Sequence, residues 1–127
     1  MIDKNNNPKK GSTNRRKGHD AERQIARELR DIGYVHAATS RATSRQLDDA
    51  KVDINYVPFN IQSKAVKQNL NFKDYLSLIN EVNDGVASLP PDHLVRITYP
   101  TVIFHKKDRQ TLCVMSKEDF YNLIKKD

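Results

Sequence analysis

Residues 59 to 68 read FNIQSKAVKQ, and their alternation restricts the fold more than any other stretch of this chain. Strand side chains point to opposite faces in turn, so Phe59, Ile61 and Ser63 share one face while Asn60, Gln62 and Lys64 share the other. Just ahead, KVDINYV sets Asp53 between Val52 and Ile54, and Pro58 marks a turn between the two runs. A chain that places an aspartate, a glutamine and a lysine on two apolar strands brings polar groups to the end of a sheet.

The remaining features bound that sheet. At 127 residues the chain has the length of one domain, and with 37% hydrophobic residues and no tryptophan its core is modest. No apolar run reaches the length of a membrane span, and the opening MIDKNNNPKK has no signal-peptide core, so no membrane partner is expected. A single cysteine, Cys113, can form neither an internal disulfide nor a cysteine-rich zinc cluster. That fits a reducing cytoplasm, the host's for a viral source. Lysines and arginines number 22 against 16 acidic residues, a net charge of +6. The basic residues gather at Arg15, Arg16 and Lys17 and recur at Arg41, Arg45, Lys51, Lys64 and Lys67. This distribution suits a polyanion such as nucleic acid, although a solvated basic surface explains the net charge alone equally well.

Along the chain, residues 1–15 are poor in apolar side chains and read as a flexible basic arm, and residues 16–127 as one domain. In GHDAERQIARELRDIGY, Ala21, Ile25, Leu29 and Ile32 recur at helical spacing. Asp20 is the expected N-cap, Glu22 lies in the first turn and Gly33 sits at the stop position. YVHAATS reads as a strand, RATSRQLDDA as a polar loop, and the strands around Asp53 and Gln62 follow. NFKDYLSLINEVN reads as a second helix capped by Asn71, with Phe72, Tyr75, Leu76 and Ile79 as its apolar stripe. DGVASLPPDH reads as a connection, LVRITYPTVIFHKK and TLCVMS as further strands, and SKEDFYNLIKK as a closing helix capped by Ser116. Phe120, Leu123 and Ile124 make that last helix a packing element. The expected order, α-β-β-β-α-β-β-α, is an α/β fold around a mixed sheet.

At the sheet, Asp53 and the amide oxygen of Gln62 are hard ligands suited to magnesium or manganese, and Glu22 offers a third oxygen. Lys64, on the Gln62 face, is a cation able to steady an attacking water or a phosphate. Together these residue types meet the needs of metal-dependent phosphodiester hydrolysis: a Lewis acid, an oriented water and countercharge. Taken singly each has a plainer explanation: Glu22 as a helix stabiliser, Asp53 at a strand end, Gln62 and Lys64 on the wet face of an edge strand. His19, His36, His93 and His105 show no ligand spacing and read as surface or packing residues. Cys113 reads as a buried thiol.

The run RRKGHDAERQIARELRDIGY, then SRATSRQLDDAKVDI, then FNIQSKAV resembles the PD-(D/E)xK nuclease superfamily. Within it, the likeness is to the small archaeal-type Holliday junction resolvases and their phage relatives. It rests on Lys17-Gly18 before a helix carrying Glu22-Arg23, an Arg- and Ser-rich loop, an aspartate followed by an apolar residue, and a strand ending x-Lys. It covers about residues 15–68. The resemblance implies a restriction-endonuclease-like core, a central mixed β-sheet flanked by helices. It implies metal binding by Glu22, Asp53 and Gln62, with the Ser63 carbonyl completing the shell and Lys64 as the catalytic lysine. Gln62 departs from the family's usual Glu or Asp and removes one negative charge; Asp48 and Asp49 lie close enough in sequence to restore it, with Asp49 the preferred candidate.

The implied activity is Mg²⁺-dependent (or Mn²⁺-dependent) endonucleolytic cleavage of four-way DNA junctions, in recombination, repair or replication, by a homodimer whose two sites make paired nicks. Arg15, Arg16, Lys17, Arg23, Arg41, Ser44, Arg45 and Lys67 are the expected DNA contacts, directed at phosphates, since no sequence-reading module is present. The alternatives are another repair or restriction-like nuclease of the superfamily, and a non-catalytic DNA-binding protein on the same fold, for which Gln62 argues.

Overall fold

The structure is a computed structural model that describes residues 7–127, with side chains described from residue 14. It is a mixed α/β fold. Helix α1 (Asn7–Asp31) is followed by β1 (Ala38–Thr39), two short helices α2 (Ser40–Thr43) and α3 (Arg45–Asp49), β2 (Ile54–Asn55) and β3 (Asn60–Ala65). Helix α4 (Phe72–Ala87), a 3-10 segment (Pro91–Thr98), β4 (Thr101–Lys107), β5 (Gln110–Val114) and α5 (Lys117–Ile124) complete the chain. Strands β3, β4 and β5 form one sheet in that order, β3 parallel to β4 and β4 antiparallel to β5. Strands β1 and β2 pair separately as a small antiparallel ribbon.

Two helices cover the mixed sheet. On one face Ile25 and Ala26 of α1 pack with Ile61, Val102, Ile54 and Ala37; on the other, Ile79, Val82 and Val86 of α4 pack with Ile103, Leu47 and Val52. Because β3 and β4 are parallel and in register, Gln62 lies beside Ile103 and Lys64 beside His105, all on the α4 face. The alternation in residues 59–64 thus decides which helix each side chain meets.

Several elements differ from the sequence reading. Helix α1 already runs from Asn7, so Asp20 and Glu22 sit in its interior: Asp20 caps nothing, pairing instead with Arg23, and Glu22 is not in a first turn. Residues 7–15 of the expected arm are helical, and residues 1–6 lie outside the described residues. Gly33 does end α1, at φ +125°, a conformation few other residues tolerate. Ile32, expected in the apolar stripe, is exposed.

The expected loop RATSRQLDDA is α2 and α3 instead. Ser44 separates them in extended conformation and caps α3, its hydroxyl accepting from Leu47 N–H at 3.3 Å, while Leu47 is fully buried. One buried leucine and one cap give this polar stretch its helical turn. Helix α4 starts at Asn71 with a reciprocal capping box to Asp74 but continues through the expected connection as far as Ala87. Its buried side chains are Ile79, Val82 and Val86, whereas Phe72 and Leu76 are exposed. Gly85 is what lets it continue: a Cβ there would stand 2.5 Å from the Ala50 carbonyl oxygen.

Residues 91–98, read as the end of a connection and, from Leu94, the start of a strand, form a 3-10 helix. Pro91 presets its first turn and Pro100 stops it, leaving Leu94, Val95 and Ile97 exposed. Helix α5 is capped by Ser116 as expected, and Asp119 accepts from Thr101 N–H at 3.0 Å. It buries none of its side chains: Phe120, Tyr121, Leu123 and Ile124 are exposed, so it is not the packing helix that its apolar face suggests. Cys113 is likewise exposed on β5 rather than buried.

Candidate metal and phosphate site

Asp53 stands where β2 begins, beside the free edge of β3. Its backbone N–H donates to the Ile61 carbonyl at 2.7 Å, its carbonyl accepts from Ser40 N–H at 2.8 Å, and its Oδ2 accepts from Ser63 N–H at 2.8 Å. A side-chain oxygen therefore stands where a neighbouring strand's carbonyl would otherwise pair, and fixes the carboxylate against β3.

Burial pushes the Asp53 carboxyl up to about 7, with the charges of Glu22 and Asp48 adding to the rise and the Ser63 N–H and Arg41 opposing it. The acidic neighbours are thus Glu22 from α1 and Asp48 from α3. Asp49, the favoured candidate for a compensating charge, is exposed and lies 3.9 Å from Arg45 on its own helix. Asp48, not Asp49, is the neighbour whose charge acts on Asp53. A helix spanning 45–49 turns adjacent residues to different sides, which a loop reading could not reveal.

Glu22 is 8% exposed, and both its oxygens accept from Arg41 Nη2, at 3.1 and 3.3 Å. Arg41 therefore faces inward to this carboxylate in addition to being an expected DNA contact. Gln62 is 4% exposed, so it is not on a wet strand face, and its Oε1 is buried without a hydrogen-bond partner. Ser40 Oγ is another buried oxygen without a partner, and Ser40 is tied to the Asp53 backbone. Its role had no signal in the sequence beyond a hydroxyl at the end of a short strand. An unpaired buried acceptor costs about 1–3 kcal/mol, a penalty that a cation or donor at this place would relieve.

Lys64 lies farther along β3 and opens onto a groove with Val66, Asn69, Leu70 and Asp74. It is in no ion pair among the described residues. Of the other expected contacts, Arg15, Arg16 and Lys17 are exposed on α1, Lys67 follows β3 on the surface, Arg23 pairs with Asp20, and Ser44 uses its hydroxyl as a cap. Ser63 brings its N–H to Asp53.

The donor types are those a hard divalent cation takes: a carboxyl that burial, with Glu22 and Asp48 adding to it, pushes up to about 7, and a carboxamide oxygen with no donor. Among the described residues no three His, Cys, Asp or Glu side chains are gathered as a ready ligand cluster. No family model, no curated protein and no solved structure matches this chain. This corner and its surroundings therefore carry the functional reading.

One histidine outside the expected set adds to them. His105 is 5% exposed, its Nδ1 lies 2.8 Å from the Tyr75 hydroxyl, and its Nε2 is buried without a partner. It is a packing histidine by position, next to Lys64 in register. No helix among the described residues is long and apolar enough to cross a membrane.

Proposed function

We propose that this protein is a metal-dependent endonuclease of the PD-(D/E)xK kind that acts on branched DNA, as a Holliday junction resolvase does. The observation that carries the reading is the Asp53 carboxyl fixed by the Ser63 N–H against β3, the strand on which the Gln62 side-chain oxygen is buried without a partner. Asp53 and Gln62 would hold magnesium or manganese, with the Ser63 carbonyl and the carboxylates of Glu22 and Asp48 available to complete or charge-balance the site. When bound, such an ion supplies Lewis-acid charge to a phosphate and makes its bound water more acidic. The Ser63 N–H keeps the Asp53 carboxylate in one orientation. Lys64, unpaired and at the mouth of a groove, meets the negative charge that develops on phosphate during attack. The exposed basic residues of α1 and Lys67 contact phosphates without reading sequence.

Paired cuts call for a homodimer, and the exposed apolar side chains of α5 and of the 3-10 segment support one. A second reading, a DNA-binding protein without cleavage, is favoured by the Arg41–Glu22 pair and by the neutral Gln62. Incubating a labelled four-way junction and a matched linear duplex with Mg²⁺, Mn²⁺ or chelator separates the two. Metal-dependent nicks on the junction support the nuclease; tight binding with no cut under any metal supports the second reading.

A further inference from the structure

The turn joining β4 to β5 carries Lys106, Lys107 and Arg109 within four successive residues, and Asp108 between them has φ +57°. Successive strand residues face opposite ways, and here each lysine is tied to a different helical layer. Lys106 Nζ donates to Gln24 of α1 at 3.5 Å, while Lys107 Nζ donates to Asn69, just ahead of α4. Three grooves border the hairpin: one along β5, lined among others by Gln24, Glu28, Ser63, Lys106 and Arg109, and two that meet at its tip. Of the two at the tip, one is lined by Lys17, Lys67, Lys106, Asp20 and Asp108; the other by Tyr75, His105, Lys107, Asp108, Arg109 and Asn69. Asp108 borders both, so the hairpin tip is the ridge between them.

The two grooves at the tip have the same chemistry. Lys17, Lys67, Lys106, Lys107 and Arg109 make no ion pair among the described residues, and the lysine contacts named above are to neutral amides. Of the two acids at the α1-side groove, Asp20 is already bound by Arg23. The α4-side groove shares Asn69 and Leu70 with the groove at Lys64, so it continues toward the candidate phosphate site. The α1-side groove meets the Lys64 groove only at Val66.

We propose that the β4–β5 hairpin is a wedge that seats two diverging DNA backbones, the strand to be cut in the α4-side groove and a second strand in the α1-side groove. This rests on the nuclease reading and deepens it: the substrate it selects is DNA at a branch, where two backbones part around a protein ridge. A linear duplex presents no such parting, so it uses the α4-side groove alone.

The test is fluorescence anisotropy of a labelled four-way junction and a matched linear duplex with the full chain in chelator, where binding is read without cleavage. Lys107→Gln is expected to weaken both ligands several-fold and to lower the log–log salt slope by about 1 for each. Lys106→Gln is expected to weaken the junction by the same factor and leave the linear duplex unchanged. Equal losses on both ligands from Lys106→Gln would overturn the wedge, as would no loss on the junction. A wedge that passes this test in a protein that never cuts with metal would refute the nuclease reading alone. Loss of the differential in a protein that does cut would refute the wedge alone.

Discussion

Replacing Asp53 with asparagine probes the site without any substrate. The folded protein holds this carboxyl at about 7 against an ordinary 3.8, a rise of roughly three units, or about 4 kcal/mol at 1.36 kcal/mol per unit. Relaxation and water near the partly exposed carboxyl reduce that to about 2 kcal/mol. A carboxyl raised on folding leaves the native state unpenalised below pH 3.8. Stability then falls as pH rises toward 7, because the unfolded chain releases the proton and the folded one does not. The asparagine side chain carries no charge to bury, and its amide oxygen can still accept from the Ser63 N–H. In chelator at pH 8, Asp53→Asn is therefore expected to be more stable than the parent by about 2 kcal/mol, roughly 6–10 °C in Tm for a domain of this size. At pH 4 the two proteins should unfold nearly together. Thermal and urea unfolding across pH 4–8 measures the difference. If the variant is no more stable at pH 8, or if the gap is the same at both ends of the range, Asp53 does not carry the buried charge inferred for it. Mg²⁺ at pH 8 should in turn stabilise the parent and leave the variant unchanged, since only a ligand that binds the folded site shifts the transition.

Three further outcomes are expected. Gly85→Ala sets a methyl 2.5 Å from the Ala50 carbonyl oxygen and should cost about 1–2 kcal/mol net of the better helix propensity of alanine, read as a lower urea midpoint at unchanged m. Asn71→Ala removes the capping box at α4 and should cost about 1 kcal/mol in the same assay. Gln62→Glu places a carboxylate at the orphaned oxygen, so calorimetry should find tighter Mn²⁺ binding; unchanged or weaker binding would count against Gln62 as a ligand.

The parts of this fold that were legible in the sequence are those where local chemistry and burial agree. Ser116, Asn71 and Gly33 terminate helices by cap geometry alone, and residues 59–64 alternate because each face meets a different helix. Asp53 and Gln62 stand out in the sequence because polar groups on apolar strands need a reason; the structure ties Asp53 to the Ser63 N–H and buries Gln62. What stayed hidden depends on tertiary contact. Gly85 reads as a break until Ala50 is seen against it. The 91–98 stretch has a strand's apolar content but prolines at both ends that favour a tight helix. Helix α5 has an amphipathic pattern with no core to receive it. Asp48 and Asp49 are neighbours that a helical turn points apart, so only Asp48 acts on Asp53.

The central claim is that the corner of Asp53, Gln62 and Lys64 hydrolyses phosphodiesters in branched DNA. Its most direct test is single-turnover cleavage of an end-labelled four-way junction in Mg²⁺ by the parent protein, Asp53→Ala and Lys64→Ala, each confirmed folded and junction-binding. Paired symmetric nicks by the parent, lost in chelator and in both variants, are the predicted result. Undiminished cleavage by either variant, or no cleavage by a parent that binds the junction tightly, would contradict it.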